Sequence, residues 1–203
     1  YRTGFDLRIV EEGVDMSHYA LADFVADLKA ISAETTGEEG ITRQVVPLAK
    51  QLVSEGDWSD PALRECDPGQ GFGITILNEE TDNALLVEVI CWLPERGVAP
   101  HDHQTWGVVV GIEGEETNVD WRRNDDGSRP DFADLSLEAE RVIGPGDACA
   151  FMPDDIHGVR NTGEAPSLSL HVYGYSPASR DRSEFDPLTK TRRPCPQRVR
   201  RRV

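Results

Sequence analysis

The chain has 203 residues, 37 acidic against 21 basic side chains, and a formal net charge of −16. That length suits one domain with a sizeable core. No run of 18 apolar residues offers a membrane span, and the negative charge argues against nonspecific binding to nucleic acid or anionic membranes. The first residues lack the basic-then-apolar pattern of a signal peptide. Four cysteines, Cys66, Cys91, Cys149 and Cys195, form no CxxC pair, which fits a reducing cytoplasm without a disulfide scaffold.

Residues 1–70 read as a helical segment. Leu21, Phe24, Val25, Leu28 and Ile31 recur at helical spacing, with Asp15 or Ser17 as N-cap. Glu34 to Gly40 is polar and reads as a loop. A second helical stretch covers Ile41 to Val53, where Pro47 is expected to break it or to sit in its first turn. His18 reads as a surface residue.

From about Gly71 the period shortens to two. Apolar runs at Phe72–Leu77, Ala84–Trp92, Trp106–Ile112, Thr117–Trp121, Ala148–Met152, Gly158–Arg160 and Ser167–Tyr175 alternate with turn-rich stretches. Such short strands at close spacing predict an antiparallel sandwich or barrel over residues 71–189. Cys91 and Cys149 fall within these runs as buried small hydrophobes, and Trp92, Trp106 and Trp121 read as barrel filling. Residues 190–203 form a basic tail with seven positives and no acid. It either stands solvated or folds back on the acidic surface.

Four of the five histidines lie in the β body: His101, His103, His157 and His171. On a strand, the His101-Asp102-His103 pair puts two imidazoles on one side, where they can share a metal. Asp102 then faces away. His157, after a later strand, is the candidate third ligand. Imidazole ligands suit Fe, Cu, Ni and Zn rather than Mg or Ca, and three of them leave positions open on the ion.

Gly97-x3-His101-x-His103, then Gly144-Pro145-Gly146-Asp147, Pro153, His157 and Asn161, resemble the two signature motifs of the cupin superfamily. The glutamate usual after the first histidine pair is absent, since Gln104-Thr105-Trp106-Gly107-Val108 stands there. Ser169-Leu170-His171-Val172-Tyr173 adds three polar side chains on one strand face. Together these motifs are similar to the thiol dioxygenases, cysteine dioxygenase and its bacterial relative 3-mercaptopropionate dioxygenase. The resemblance covers roughly residues 72 to 186.

The resemblance implies an all-β cupin double-stranded β-helix, a jelly-roll barrel, behind the N-terminal helical segment. It implies a non-haem iron enzyme with Fe(II) held by His101, His103 and His157, and with Tyr173, His171 and Ser169 as a catalytic relay. It implies that a small thiol and O2 give a sulfinic acid, in a cytoplasmic protein that is a monomer or small homo-oligomer. Trp106-Gly107 occupies the neighbourhood where mammalian-type enzymes carry a cysteine crosslinked to the tyrosine, so no crosslink is expected. Ile74 falls where the family has a carboxylate-binding Arg or Gln. Arg182 matches a second substrate-binding arginine, with Arg180 as the fallback. Outside this family, the same histidines would suit a cupin oxygenase acting on a β-diketone, or a noncatalytic metal- or ligand-binding cupin. Glu88 and Asp147 read as structural, and the cysteines as uninvolved.

Overall fold

The structure, a computed structural model, describes residues 18–202. Two helices, α1 (Leu21–Glu34) and α2 (Glu38–Glu55), precede a barrel of short strands. The helical N-caps expected at Asp15 or Ser17 lie outside the described residues. Ala20 takes the cap position instead, its backbone N–H donating to the Asp23 carboxylate at 3.2 Å. Pro47 does not break the second helix. It sits in the interior of α2, where the buried Val45, Ala49 and Leu52 face the barrel. The helix tolerates the proline's lost hydrogen bond because that apolar face is anchored on both sides of it.

The strands are β1 (Phe72–Glu79), β2 (Ala84–Trp92), β3 (Gly97–His101), β4 (Gly107–Glu113), β5 (Glu116–Arg123), β6 (Leu135–Ile143), β7 (Ala148–Phe151), β8 (Ile156–Arg160), β9 (Ser167–Tyr175), β10 (Ser183–Asp186), β11 (Thr191–Pro194) and β12 (Arg201–Arg202). They form two six-stranded sheets, in the orders β12-β1-β2-β9-β4-β7 and β11-β10-β3-β8-β5-β6. The crossovers between the sheets close a jelly-roll barrel, a double-stranded β-helix.

Strand periodicity positions the site. On β9, Leu168, Leu170 and Val172 face outward beneath α1 and α2, packed with Leu85, Val87 and Val89 of β2 and Val108 and Val110 of β4. Their neighbours Ser169, His171 and Tyr173 face the barrel interior instead. The register fixes what stands beside them: Ser169 lies opposite Ile90, His171 opposite Glu88, and Tyr173 opposite Leu86.

The basic tail folds back onto acidic groups. β12 adds a parallel strand to the edge of β1, Arg201 donates to Thr75 at 3.0 Å, and Arg200 pairs with Glu79 and Glu88. Arg193 and Arg198 pair with the buried Glu184 on β10. All four cysteines are free. No helix among the described residues is long and apolar enough to cross a membrane.

Candidate metal centre

The structure brings His101, His103 and His157 together. His101 ends β3, His103 follows in the turn beyond it, and His157 stands on β8 directly opposite His101. The three Nε2 atoms converge: His101 to His103 is 3.0 Å and His103 to His157 is 2.9 Å. All three residues are buried, and they form a potential metal-holding group.

Hydrogen bonds orient two of the rings. The Nδ1–H of His101 donates to the Ala99 carbonyl at 2.9 Å. The Nδ1–H of His157 donates to Asn118 Oδ1 at 2.6 Å, and Asn118 in turn donates to Asp120 at 2.6 Å. Both arrangements leave Nε2 as a lone pair pointing inward, which is the form a metal needs. His103 is held by stacking, between Phe151 (ring centroids 4.5 Å apart) and Tyr173 (5.1 Å). The approach of Phe151 depends on Gly107, because a Cβ there would stand 2.2 Å from the Phe151 ring. The Nδ1 of His103 is buried without a partner.

Burial keeps these imidazoles neutral. It holds His101 and His103 well below the usual histidine value and lowers His157 to about 4. Three neutral, converging nitrogens with no carboxylate among them fit a borderline transition metal.

Beside the trio, Ser169, His171 and Tyr173 are connected. His171 Nδ1 lies 3.0 Å from the Tyr173 hydroxyl and its Nε2 lies 2.9 Å from Ser169 Oγ. Burial lowers His171 to about 3 and raises Tyr173 well above 10, so both are neutral near pH 7. Ser169 then donates to Glu116 Oε2 at 2.8 Å, a partner that nothing in the linear pattern announces.

The trio and Tyr173 border a cavity of about 70 Å³, room for about five waters. Ile74 and Arg182 both line it. Among the described residues no carboxylate pairs with Arg182, and its positive charge reaches His101, His103 and Tyr173. Arg180 is not among the lining residues. Its side chain lies over the Tyr175 ring and donates to the Gln104 carbonyl at 3.0 Å.

One expectation needs correction. Cys195 and Arg198 line the cavity, so the cysteines are not all remote and the tail contributes to the wall. Their place follows from β11 pairing with β10, which carries the tail across the barrel mouth. Glu88 is also a lining residue, held by Arg200 at 3.0 Å, and burial raises its carboxyl above the usual range. Trp92 packs at a tilt against Phe72 and faces the same cavity, whereas Trp106 packs under the helices. His18 precedes α1 and is exposed, close to Glu55. Asp102 turns away from the trio and accepts the Ser183 N–H at 2.9 Å, and Asn161 locks the turn after β8 through Trp92, Ala165 and Gly163.

No family model and no curated protein matches the chain. Solved structures that resemble it include oxalate oxidase in complex with the substrate analogue glycolate, with a TM-score of 0.42 and 17% identity over 60% of this chain and 55% of that one. This chain thus spans about half of the oxalate oxidase chain. Another is an uncharacterised conserved protein with a double-stranded β-helix domain from Klebsiella pneumoniae, with a TM-score of 0.43 and 18% identity over 59% of this chain and 90% of that one. A third is the cupin domain of an XRE-family transcriptional regulator from Enterobacter cloacae, at 0.38 and 20% over 52% and 98%.

Proposed function

We propose that the protein is an Fe(II)-dependent thiol dioxygenase that converts a small anionic thiol and O2 to the sulfinic acid. The observation that carries the proposal is the juxtaposition of three converging neutral histidines with a buried Ser169–His171–Tyr173 chain along one cavity wall. A structural zinc site would be closed by four ligands and would need no such chain.

When bound, iron would supply the coordination sites and the redox chemistry that O2 requires. The chain supplies the rest. His101, His103 and His157 would hold the ion from one side. Arg182 would attract the anionic end of the thiol. Ile74, Ile90 and Trp92 would pack its carbon atoms. Tyr173, neutral and stacked on His103, would present its hydroxyl to the reacting sulfur and exchange a proton with His171.

The decisive experiment is anaerobic loading with Fe(II), followed by O2 uptake across a panel of small thiols with and without a carboxylate. Thiol-dependent uptake with a sulfinate product is expected, fastest for the carboxylated thiols. Loaded protein that consumes no O2 with any thiol sinks the proposal. Uptake with a β-diketone alone would replace it with a carbon oxygenase.

A further inference from the structure

Glu116 has no part in the function proposed so far. It opens β5, is buried, and receives the Ser169 hydroxyl at 2.8 Å. A serine hydroxyl has one proton to donate. Given to Glu116, that proton leaves Ser169 to accept from His171 Nε2–H, and His171 Nδ1 to accept from the Tyr173 hydroxyl. The four groups therefore form one directed line from the cavity to the carboxylate, with links of 3.0, 2.9 and 2.8 Å.

The surroundings of Glu116 suit a group that takes up a proton. The Trp92 indole and the Cys149 thiol face it, from β2 and β7, and β9 brings Ser169. Ile143 is its partner across β6. Among the described residues no arginine or lysine pairs with it, and burial pushes its carboxyl up to about 7. Glu88 and Glu184, by contrast, are each paired with an arginine.

We propose that Glu116 is a positioning residue that ends the relay as its proton acceptor, storing the proton a thiol loses when it binds. This use of the stored proton rests on the thiol-oxidation proposal; the direction of the line does not. The transfer balances at every link. The thiol S–H breaks as the Tyr173 O–H forms, and the former Tyr173 proton passes to His171 Nδ1. The His171 Nε2 proton passes to Ser169, and the Ser169 proton passes to Glu116. The substrate is left as thiolate, Glu116 becomes a neutral acid, and His171 has exchanged its Nε2–H for Nδ1–H. Reversal returns the proton to the cavity.

The His171 tautomer reports the state of the line without any turnover. The test uses the full chain without added metal, labelled with 15N-histidine and with His171 assigned against an H171Q variant. At about pH 8.5 the Nε2–H tautomer is expected, and at about pH 5.5 the Nδ1–H tautomer. E116Q keeps one tautomer throughout, since an amide does not titrate in this range. S169A, which cuts the line while sparing Glu116, uncouples His171 in the same way and serves if E116Q fails to fold. A wild-type tautomer that does not change with pH, or a change that survives in both variants, overturns the proposal. In the iron-loaded enzyme, E116Q should lower kcat about tenfold with little change in the thiol KM and flatten the kcat–pH profile; an unchanged kcat and profile would also overturn it. Absence of O2 uptake in wild type and variant alike would instead sink the thiol-oxidation proposal, while leaving the tautomer result intact.

Discussion

The two faces of β9 share one backbone and one register, yet they do different work. The outward face, Leu168, Leu170 and Val172, is apolar and sealed under two helices. On the inward face Ser169, His171 and Tyr173 are equally buried, but these three side chains find partners in line. Burial therefore serves cohesion on one side and, in the proposed reaction, chemistry on the other. On the outside it removes apolar surface from water. On the inside it strips solvent from titratable groups and keeps them neutral. Changes on one face should be felt as stability, and changes on the other as activity.

Acid should expose the cost of the inward face most strongly. His157 and His171 have folded values of about 4 and about 3, below the ordinary value of 6.5. A histidine that stays neutral when folded destabilises the fold as pH falls through 6.5, because only the unfolded chain then takes the proton. Each contributes about 1.4 kcal/mol per pH unit until its folded value is reached. His101 and His103 act in the same direction. Glu116 opposes them: its raised value adds stability below its unfolded value of 4.5, and that stability is lost as pH rises toward 7. Burial raises Glu88 and Asp102 in the same direction. Four histidines outnumber these three acids, so the unfolding free energy of the metal-free protein, read from urea titrations, should fall between pH 6.5 and 4.5. A flat profile across that window would show that the inner face carries no such penalty.

Two substitutions separate the faces directly. Tyr173→Phe should leave iron bound and stability nearly unchanged while lowering kcat by about 10² to 10⁴, the range for a positioned proton donor. Leu170→Ala, at a site with no exposure, should cost about 2–5 kcal/mol in unfolding free energy. Its turnover per folded molecule should stay at the wild-type level. If Leu170→Ala reduced kcat as Tyr173→Phe does, the faces would not be independent.

Part of this division is legible from the amino-acid order. β2 and β9 begin and end where their apolar runs do, because both strands are buried on each side of the sheet. Ser169-x-His171-x-Tyr173 shows because a strand's period of two turns alternate residues to one side; His101-x-His103 shows by its spacing, although His103 stands in the turn beyond β3. What remains hidden lacks such a run. β6 is an edge strand with Glu138, Glu140 and Arg141 exposed, so it carries no apolar pattern. β3 is five residues long and contains Pro100. Pro47 misleads because local propensity loses to tertiary packing in α2. Glu116 reaches Ser169 across 53 residues, and Cys195 and Arg198 reach the cavity only because the tail is pinned by distant acids. Side chains that arrive singly from separate strands leave no periodic trace.

The same distinction extends to the support of the metal trio, where the smallest effect is expected. Asn118 touches neither cavity nor metal position, yet its Oδ1 receives the His157 Nδ1–H at 2.6 Å and its own amide is aimed by Asp120, which Arg141 holds at 2.6 Å. Removing it leaves the ring free to rotate and a buried N–H unpaired. Asn118→Ala should therefore weaken Fe(II) affinity by about 10- to 100-fold, read by competition with a chelator. Asp120→Asn, which only loosens the aim of the amide, should act in the same direction and less strongly. Metal affinity equal to wild type in Asn118→Ala would mean that packing against Phe151 alone orients His157, as stacking orients His103.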